Sequence, residues 1–231
     1  MKNWMIAVVV AASTASVAAD GVSGVVKFKG NQPAERALPL DPACGAAYKK
    51  ANPGTKPTTR FFVVGKDGGL GDVLVQVKGL SGGAAAAGKH VIDQKGCEYV
   101  PYVSACRAGQ TISVLNSDPV LHNVHPQPTV SGNKEYNKAQ LPNGPALDFV
   151  YDQPEEFLKF KCDVHPWMFS YVSVMSHGYF AVTDENGKFS IAGVPDGTYE
   201  VTARHRKAGE STQKVTVKGG KAEASFTIQL K

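Results

Sequence analysis

The sequence is short of charge and shorter still of helical pattern. Only 19% of its 231 residues are charged, and 25 basic against 20 acidic side chains leave a net charge of +5. So mild an excess, spread along the chain, gives no basic face for nucleic acid, and no nucleic-acid partner is expected. No apolar run approaches the roughly 20 residues that a membrane-spanning helix needs. Outside the N-terminal leader no window of about 10–12 residues shows a convincing 3.6-residue period. Glycine-rich phosphate loops, GxSxG elbows and HExxH pairs are absent, which excludes the common nucleotide, serine-hydrolase and zinc-protease signatures. Cysteine is scarce, at four residues. An even count invites two disulfides, and the motifs below argue against that division.

What is present starts with an address. Residues 1–19 read MKNWMIAVVVAASTASVAA. Lys2 supplies a short positive start, Met5 to Ala12 an apolar core, and Val17-Ala18-Ala19 a small-residue cleavage site, the pattern of a secretory signal. Cleavage after Ala19 would start the mature chain at Asp20 and lower its charge to +4. The expected location is periplasmic or otherwise exported, where disulfides persist, with no membrane span in the mature protein.

Strand signals dominate from there. Gly21 to Gly30 alternates, Phe61 to Val64 and Asp72 to Val77 are short β runs, and Thr111 to Leu115, Phe157 to Lys161 and Phe169 to Met175 follow. Residues 42–59, with Pro42, Pro53 and Pro57, read as loop, and Ala84 to Ala87 as a loop tip. Residues 126–156 are long and irregular, carrying five prolines. Asp152, Glu155 and Glu156 in that region read as a solvated acidic turn. From His177 on, short β runs recur at 179–183, 188–191, 198–204, 213–217 and 222–230, separated by Asp184-Glu185-Asn186-Gly187 and Pro195-Asp196-Gly197 turns. The fold expected is all-β.

The residues that carry chemistry are concentrated in Cys162-Asp163-Val164-His165-Pro166-Trp167-Met168. A thiolate, an imidazole and a thioether stand at three-residue steps. Upstream, the stretch from Asn116 to His125 offers a second imidazole, His122, just after a strand. Two His, one Cys and a weak Met are the trigonal blue-copper set. Soft sulfur suits Cu(I), and imidazole serves both oxidation states. Zinc fits less well, because a closed zinc site wants four Cys, His or carboxylate ligands and the fourth donor here is a thioether. A binuclear copper site would need two cysteines in the loop.

On these residues the chain resembles the cupredoxins, and its Cys-x-x-His-x-x-Met loop is similar to that of the amicyanins. The resemblance covers residues 90–176. It implies a Greek-key β-sandwich holding one type 1 copper per chain on His122, Cys162 and His165, with Met168 as axial ligand. It also implies that Asn123 holds the ligand loops together and supports the cysteine sulfur, and that His165 is the ligand nearest the surface and the electron's way in and out. Pro166 stiffens the loop, having no amide hydrogen to donate. Trp167 is read as packing over the site, with a docking patch as the other reading. His125 is read as structural, His177 as structural or a surface group, and His90 and His205 show no metal-ligand spacing.

Residues 178–204 resemble the carboxypeptidase regulatory-like, transthyretin-like β-sandwich modules, through the DENGKF turn and the following GVPDGTYEV. The segments expected are the signal peptide 1–19, an N-terminal β segment 20–89, the copper domain 90–176 and the second sandwich 177–231. Gly21 to Val26 resembles the first strand of such a module, so residues 20–80 and 177–231 could form one sandwich with the copper domain inserted. A separate N-terminal extension is the alternative. If Cys162 binds copper it is in no disulfide. Cys44 and Cys97 are then the expected pair, with Cys106, in an apolar stretch, as the spare thiol.

The function these expectations describe is single-electron transfer between redox partners by an exported, non-enzymatic copper protein. The partner is an unidentified redox protein. The alternative is a periplasmic copper carrier that delivers metal rather than electrons.

Overall fold

A computed structural model describes residues 21–84 and 87–230. The expected leader and part of the alanine tip lie outside the described residues. Strand β1 (Gly21–Lys29) is followed by a helix, α1 (Pro42–Ala51), then by β2 (Val73–Val77), β3 (His90–Gln94), β4 (Tyr99–Val100), β5 (Val103–Arg107) and β6 (Ile112–Asn116). Next come β7 (His122–Gln127), β8 (Lys138–Gln140), β9 (Leu147–Phe149), β10 (Glu155–Lys161) and β11 (Phe169–Met175). The chain ends with β12 (Phe180–Val182), β13 (Lys188–Ala192), β14 (Gly197–His205), β15 (Gly209–Val217) and β16 (Lys221–Gln229). Among the described residues the protein is all-β but for α1. Among the described residues no helix is long and apolar enough to cross a membrane.

Four sheets build two cores. One core lies between the orders β13-β1-β16 and β12-β2-β14-β15. Val22, Val26, Phe189, Ile191, Phe226 and Ile228 fill it from the first sheet, and Val73, Val75, Val201 and Val215 from the second. β1 runs antiparallel to β13 and parallel to β16, in register from Gly21 opposite Lys221 to Lys29 opposite Gln229. The strands before residue 80 therefore share both sheets with those after 179, which is the first of the two organisations above. Gly187 permits the close approach: a Cβ there would lie 2.3 Å from the Val26 carbonyl oxygen, and its φ of +75° suits glycine.

The second core lies between β5-β11-β10-β7-β8 and β4-β3-β6-β9. It is filled by Ile92, Ile112, Val114, Val124, Phe149, Leu158, Phe160 and Val172. Strand alternation carries these side chains to one face, where burial of each large apolar group is worth roughly 1.5–3 kcal/mol.

Three expectations need correcting. Residues 42–59 are not all loop, since α1 occupies Pro42–Ala51. Asp41 caps it, its carboxylate accepting the Cys44 amide at 2.9 Å, and Pro42 stands at the helix start, where a missing N–H costs nothing. Pro42 is a start signal here, not a breaker. The helix hides from periodicity because only Cys44, Ala47 and Tyr48 are buried. Phe61 to Val64 is not a strand; Val64 makes one bridge, to Leu70. The acidic turn is not uniformly solvated. Glu155 is 5% exposed and accepts from the Thr129 amide and hydroxyl and from Asn133.

The two sandwiches meet through Glu156, which accepts from Gln76 at 2.7 Å and pairs with Arg204 at 2.9 Å. Phe61 also stacks on Phe169, and the Arg206 guanidinium sits 4.0 Å from the centre of the Tyr171 ring.

Candidate metal centre

The site is built on a hairpin. β10 and β11 are antiparallel neighbours, and residues 162–168 connect them. The Cys162 amide donates to the Met168 carbonyl at 3.0 Å, and the Met168 amide to the His165 carbonyl at 2.9 Å. Cys162 and Met168 are thus the two feet of the loop, with His165 near its tip and Pro166 exposed beside it. His122 begins β7, the other neighbour of β10. Asn116 shapes the turn before it, donating to the carbonyls of Val120, Gln140 and Leu141 and accepting the Asp118 amide.

These elements bring His122, Cys162 and His165 together, with their ligand atoms all within 4.8 Å of one another. The two Nδ1 atoms are 2.9 Å apart, and the Cys162 sulfur is 3.9 Å from Nδ1 of His165. Exposure is 0% for His122, 1% for Cys162, 7% for His165 and 0% for Met168. Met168 belongs to the same apolar core as Cys162.

The surroundings ease ionisation of the Cys162 thiol. Burial pushes the Cys162 thiol up, but hydrogen bonding with His122 and with the amides of Asn123, His165 and Val164 outweighs it, and its pKa falls below the usual thiol value. Burial pushes His122 down, yet Asp118 and Cys162 raise it on balance. His165 is lowered, by burial first and by His122 next. Asp118 accepts from Nε2 of His122 at 3.0 Å. A carboxylate can only accept, so Nε2 of His122 carries a proton.

This donor set fits one soft metal ion. Nitrogen ligands at about 2.0–2.1 Å and a thiolate at about 2.3 Å from a common ion allow both observed separations.

Asn123 ties the ligand segments together. Its side-chain oxygen accepts the amides of Asp163 and Val164 at 2.5 and 3.4 Å, and its NH2 group donates to Asn137 and Asp163. Trp167 is partly buried, donates from its indole to the Cys97 carbonyl at 3.2 Å and lies 5.2 Å, ring to ring, from His165. His125 stays outside the cluster, held by Asp163 and Glu135. His90 pairs with Ser104, His177 accepts the Tyr179 amide and His205 accepts the amides of Lys207 and Ala208. Cys44 and Cys97 form a disulfide, S–S 2.02 Å, and Cys106 and Cys162 are free and buried. Burial alone pushes the Cys106 thiol up to about 12, an inert core group.

Residues 170–231 match the family model of the carboxypeptidase regulatory-like domain. The match takes in most of β11, which belongs to the other sandwich, and β12 to β16, but not β1 and β2, which share the sheets of β12 to β16. Among solved structures, a copper-containing nitrite reductase from Thermus scotoductus SA-01 is similar at 19% identity over 43% of this chain and 25% of that one, TM-score 0.35. This chain therefore spans about a quarter of that reductase. A methionine-to-alanine variant of amicyanin in its Cu(I) form is similar at 21% identity over 44% of this chain and 98% of that one, also at 0.35. An oxidised proline-to-alanine amicyanin variant gives 22%, with the same coverage and TM-score. At that TM-score the likeness carries no argument. No curated protein matches.

Two further residues touch the ligands and went unread in the sequence. Asp118 lies four residues before His122, a spacing that could have drawn attention to it. Asp41 lies 3.5 Å from Nε2 of His165. Its only local signal is the Asp-Pro start of a helix, which says nothing about a partner 124 positions away.

Proposed function

We propose that the chain is an exported mononuclear type 1 copper protein that passes single electrons between redox proteins and is not an enzyme. The observation that carries this reading is the buried His122–Cys162–His165 cluster, with its lowered thiol and its two facing Nδ1 atoms. Copper, when bound, supplies a one-electron couple that soft sulfur and imidazole ligands hold in both oxidation states.

The chain's own residues do the rest. His122, Cys162 and His165 would hold the ion, and the buried thioether of Met168 would serve as a further, weaker donor. Asp118 holds the His122 ring, and the amides around Cys162 lower its pKa. Asn123 locks β7 to the loop, so the ligands move little when charge changes. Trp167 packs beside His165 and helps exclude water.

The test is a visible spectrum of the copper-loaded chain. A thiolate-to-Cu(II) charge-transfer band near the red end is expected, with intense blue colour. A folded, copper-loaded protein without that band would refute the assignment.

A further inference from the structure

The connection from β1 to β2 leaves its own sandwich. Both strands belong to one core, yet residues 30–72 between them carry α1 to the other core, where Cys44, Ala47 and Leu40 pack. Residues 30–72 far exceed the usual length of a link between elements. The start of α1 lies over the ligand cluster. Asp41 faces Nε2 of His165, the edge of that ring turned away from Cys162. The Cys44 sulfur lies with Asp41 and His165 in one group of atoms within 4.8 Å, and the Cys97 sulfur with Asp118 and His122 in another. The disulfide therefore spans the two imidazoles on their outer side.

The geometry points to this connection as a latched cover over the metal centre. α1 and Asp41 close the His165 edge, the Cys44–Cys97 disulfide holds them there, and access to the cluster requires the cover to lift. It rests on the copper reading only for the identity of what lies beneath.

The attachment is thin apart from the disulfide. The helix buries one cysteine, one alanine and one tyrosine, and the Tyr48 hydroxyl is engaged within the cover itself, with Thr55 and Lys56. A cleft of about 750 Å³ runs between small residues of α1, such as Ala43 and Ala46, and the turn at Asp118 to Val120. Few apolar contacts and an open flank are the marks of a segment that opens locally at low cost. The disulfide opposes this by tying α1 to the residue that follows Gly96. A Cβ on Gly96 would lie 2.9 Å from the Ala51 side chain, so the helix sits directly on that turn. In an ordinary exposed-edge site a partner would meet His165 directly. Here it meets Asp41 and the start of α1, and His165 keeps only 7% exposure.

The test uses the metal-free, disulfide-intact chain and iodoacetamide, with labelling of Cys162 and Cys106 followed separately by mass spectrometry. Cys106, buried in the core on β5, is the internal control for global unfolding. Wild-type Cys162 should label slowly. In Cys44→Ser/Cys97→Ser it should label roughly tenfold faster or more, with Cys106 unchanged, because the latch no longer restrains local opening. Equal Cys162 rates in the two proteins would overturn the proposal. Should Cys106 in the double variant label as fast as in denaturant, Leu40→Ala/Asp41→Ala replaces it. Faster Cys162 labelling there supports the cover, and an unchanged rate overturns it. Extraction of Cu(I) by bathocuproine disulfonate from the loaded proteins should follow the same order. A wild-type chain that binds no copper refutes the function proposed above, while the labelling still decides the cover.

Discussion

The carboxylate of Asp118 joins the ligand His122 to the disulfide: it accepts from Nε2 of His122 at 3.0 Å and from the amides of Gly96 and Cys97 at 2.6 and 2.7 Å. One buried side chain thus sets the tautomer of a ligand and positions the turn on which α1 rests.

Asp118→Asn keeps the size but removes the charge and lets the amide present a donor to Nε2. The His122 ring loses its fixed tautomer, and metal affinity should fall about 10- to 100-fold. Competitive titration against a chelator of known affinity measures it, and an unchanged affinity would remove Asp118 from the site.

The two candidate sulfur donors, Cys162 and Met168, separate by spectrum and potential. Cys162→Ser should abolish the charge-transfer band while leaving the fold, since the side chain is nearly isosteric. Met168→Leu should keep a coloured site and raise its potential, because an axial donor to Cu(II) is lost. Voltammetry on the two forms decides it; a lowered potential counts against axial Met168.

Asn123→Ala leaves the amides of Asp163 and Val164 without their side-chain acceptor. Loss of such partners costs about 1–3 kcal/mol. The melting temperature of the metal-free chain should fall, and the loaded chain should show a broadened or shifted visible band. Unchanged values in both would mean that the link between β7 and the loop is dispensable.

Asp72 offers a pH test away from the metal. Burial raises its carboxyl to about 6, against a small opposing effect of Arg60, and one of its oxygens has no hydrogen-bond partner. The folded state therefore binds a proton that the unfolded state, with an ordinary value of 3.8, releases. That contribution to stability is fully present below the unfolded value and is lost as pH rises through 6. Asp72→Asn removes the charge and keeps a residue type that tolerates the φ of +59° found there. It should raise stability above pH 6 by about 1–2 kcal/mol and flatten this part of the profile. Denaturant melts at pH 5 and 8 measure this, and equal gains at both would contradict it.

Local pattern went far at the centre of this protein. Cys162, His165 and Met168 lie on one hairpin loop, so their spacing in the chain nearly is their spacing in space, and His122 could be placed by the strand before it. The same holds for the Asp184–Gly187 turn, where the Asp184 side chain accepts the amides of Asn186 and Lys188. The helix α1 was hidden because its buried side is small and lies between two prolines, one of which starts it.

What the chain determined by itself was the close grouping of Cys162 and His165, the short strands and their turns, because each depends on neighbours a few residues apart. Only the tertiary structure decided that β1 runs beside β16, that Glu155 is buried rather than solvated, and that Asp41 reaches His165. Alternation tells a strand which face is apolar but not which strand lies beside it. A polar side chain in a loop carries no mark of the distant partner that will need its charge.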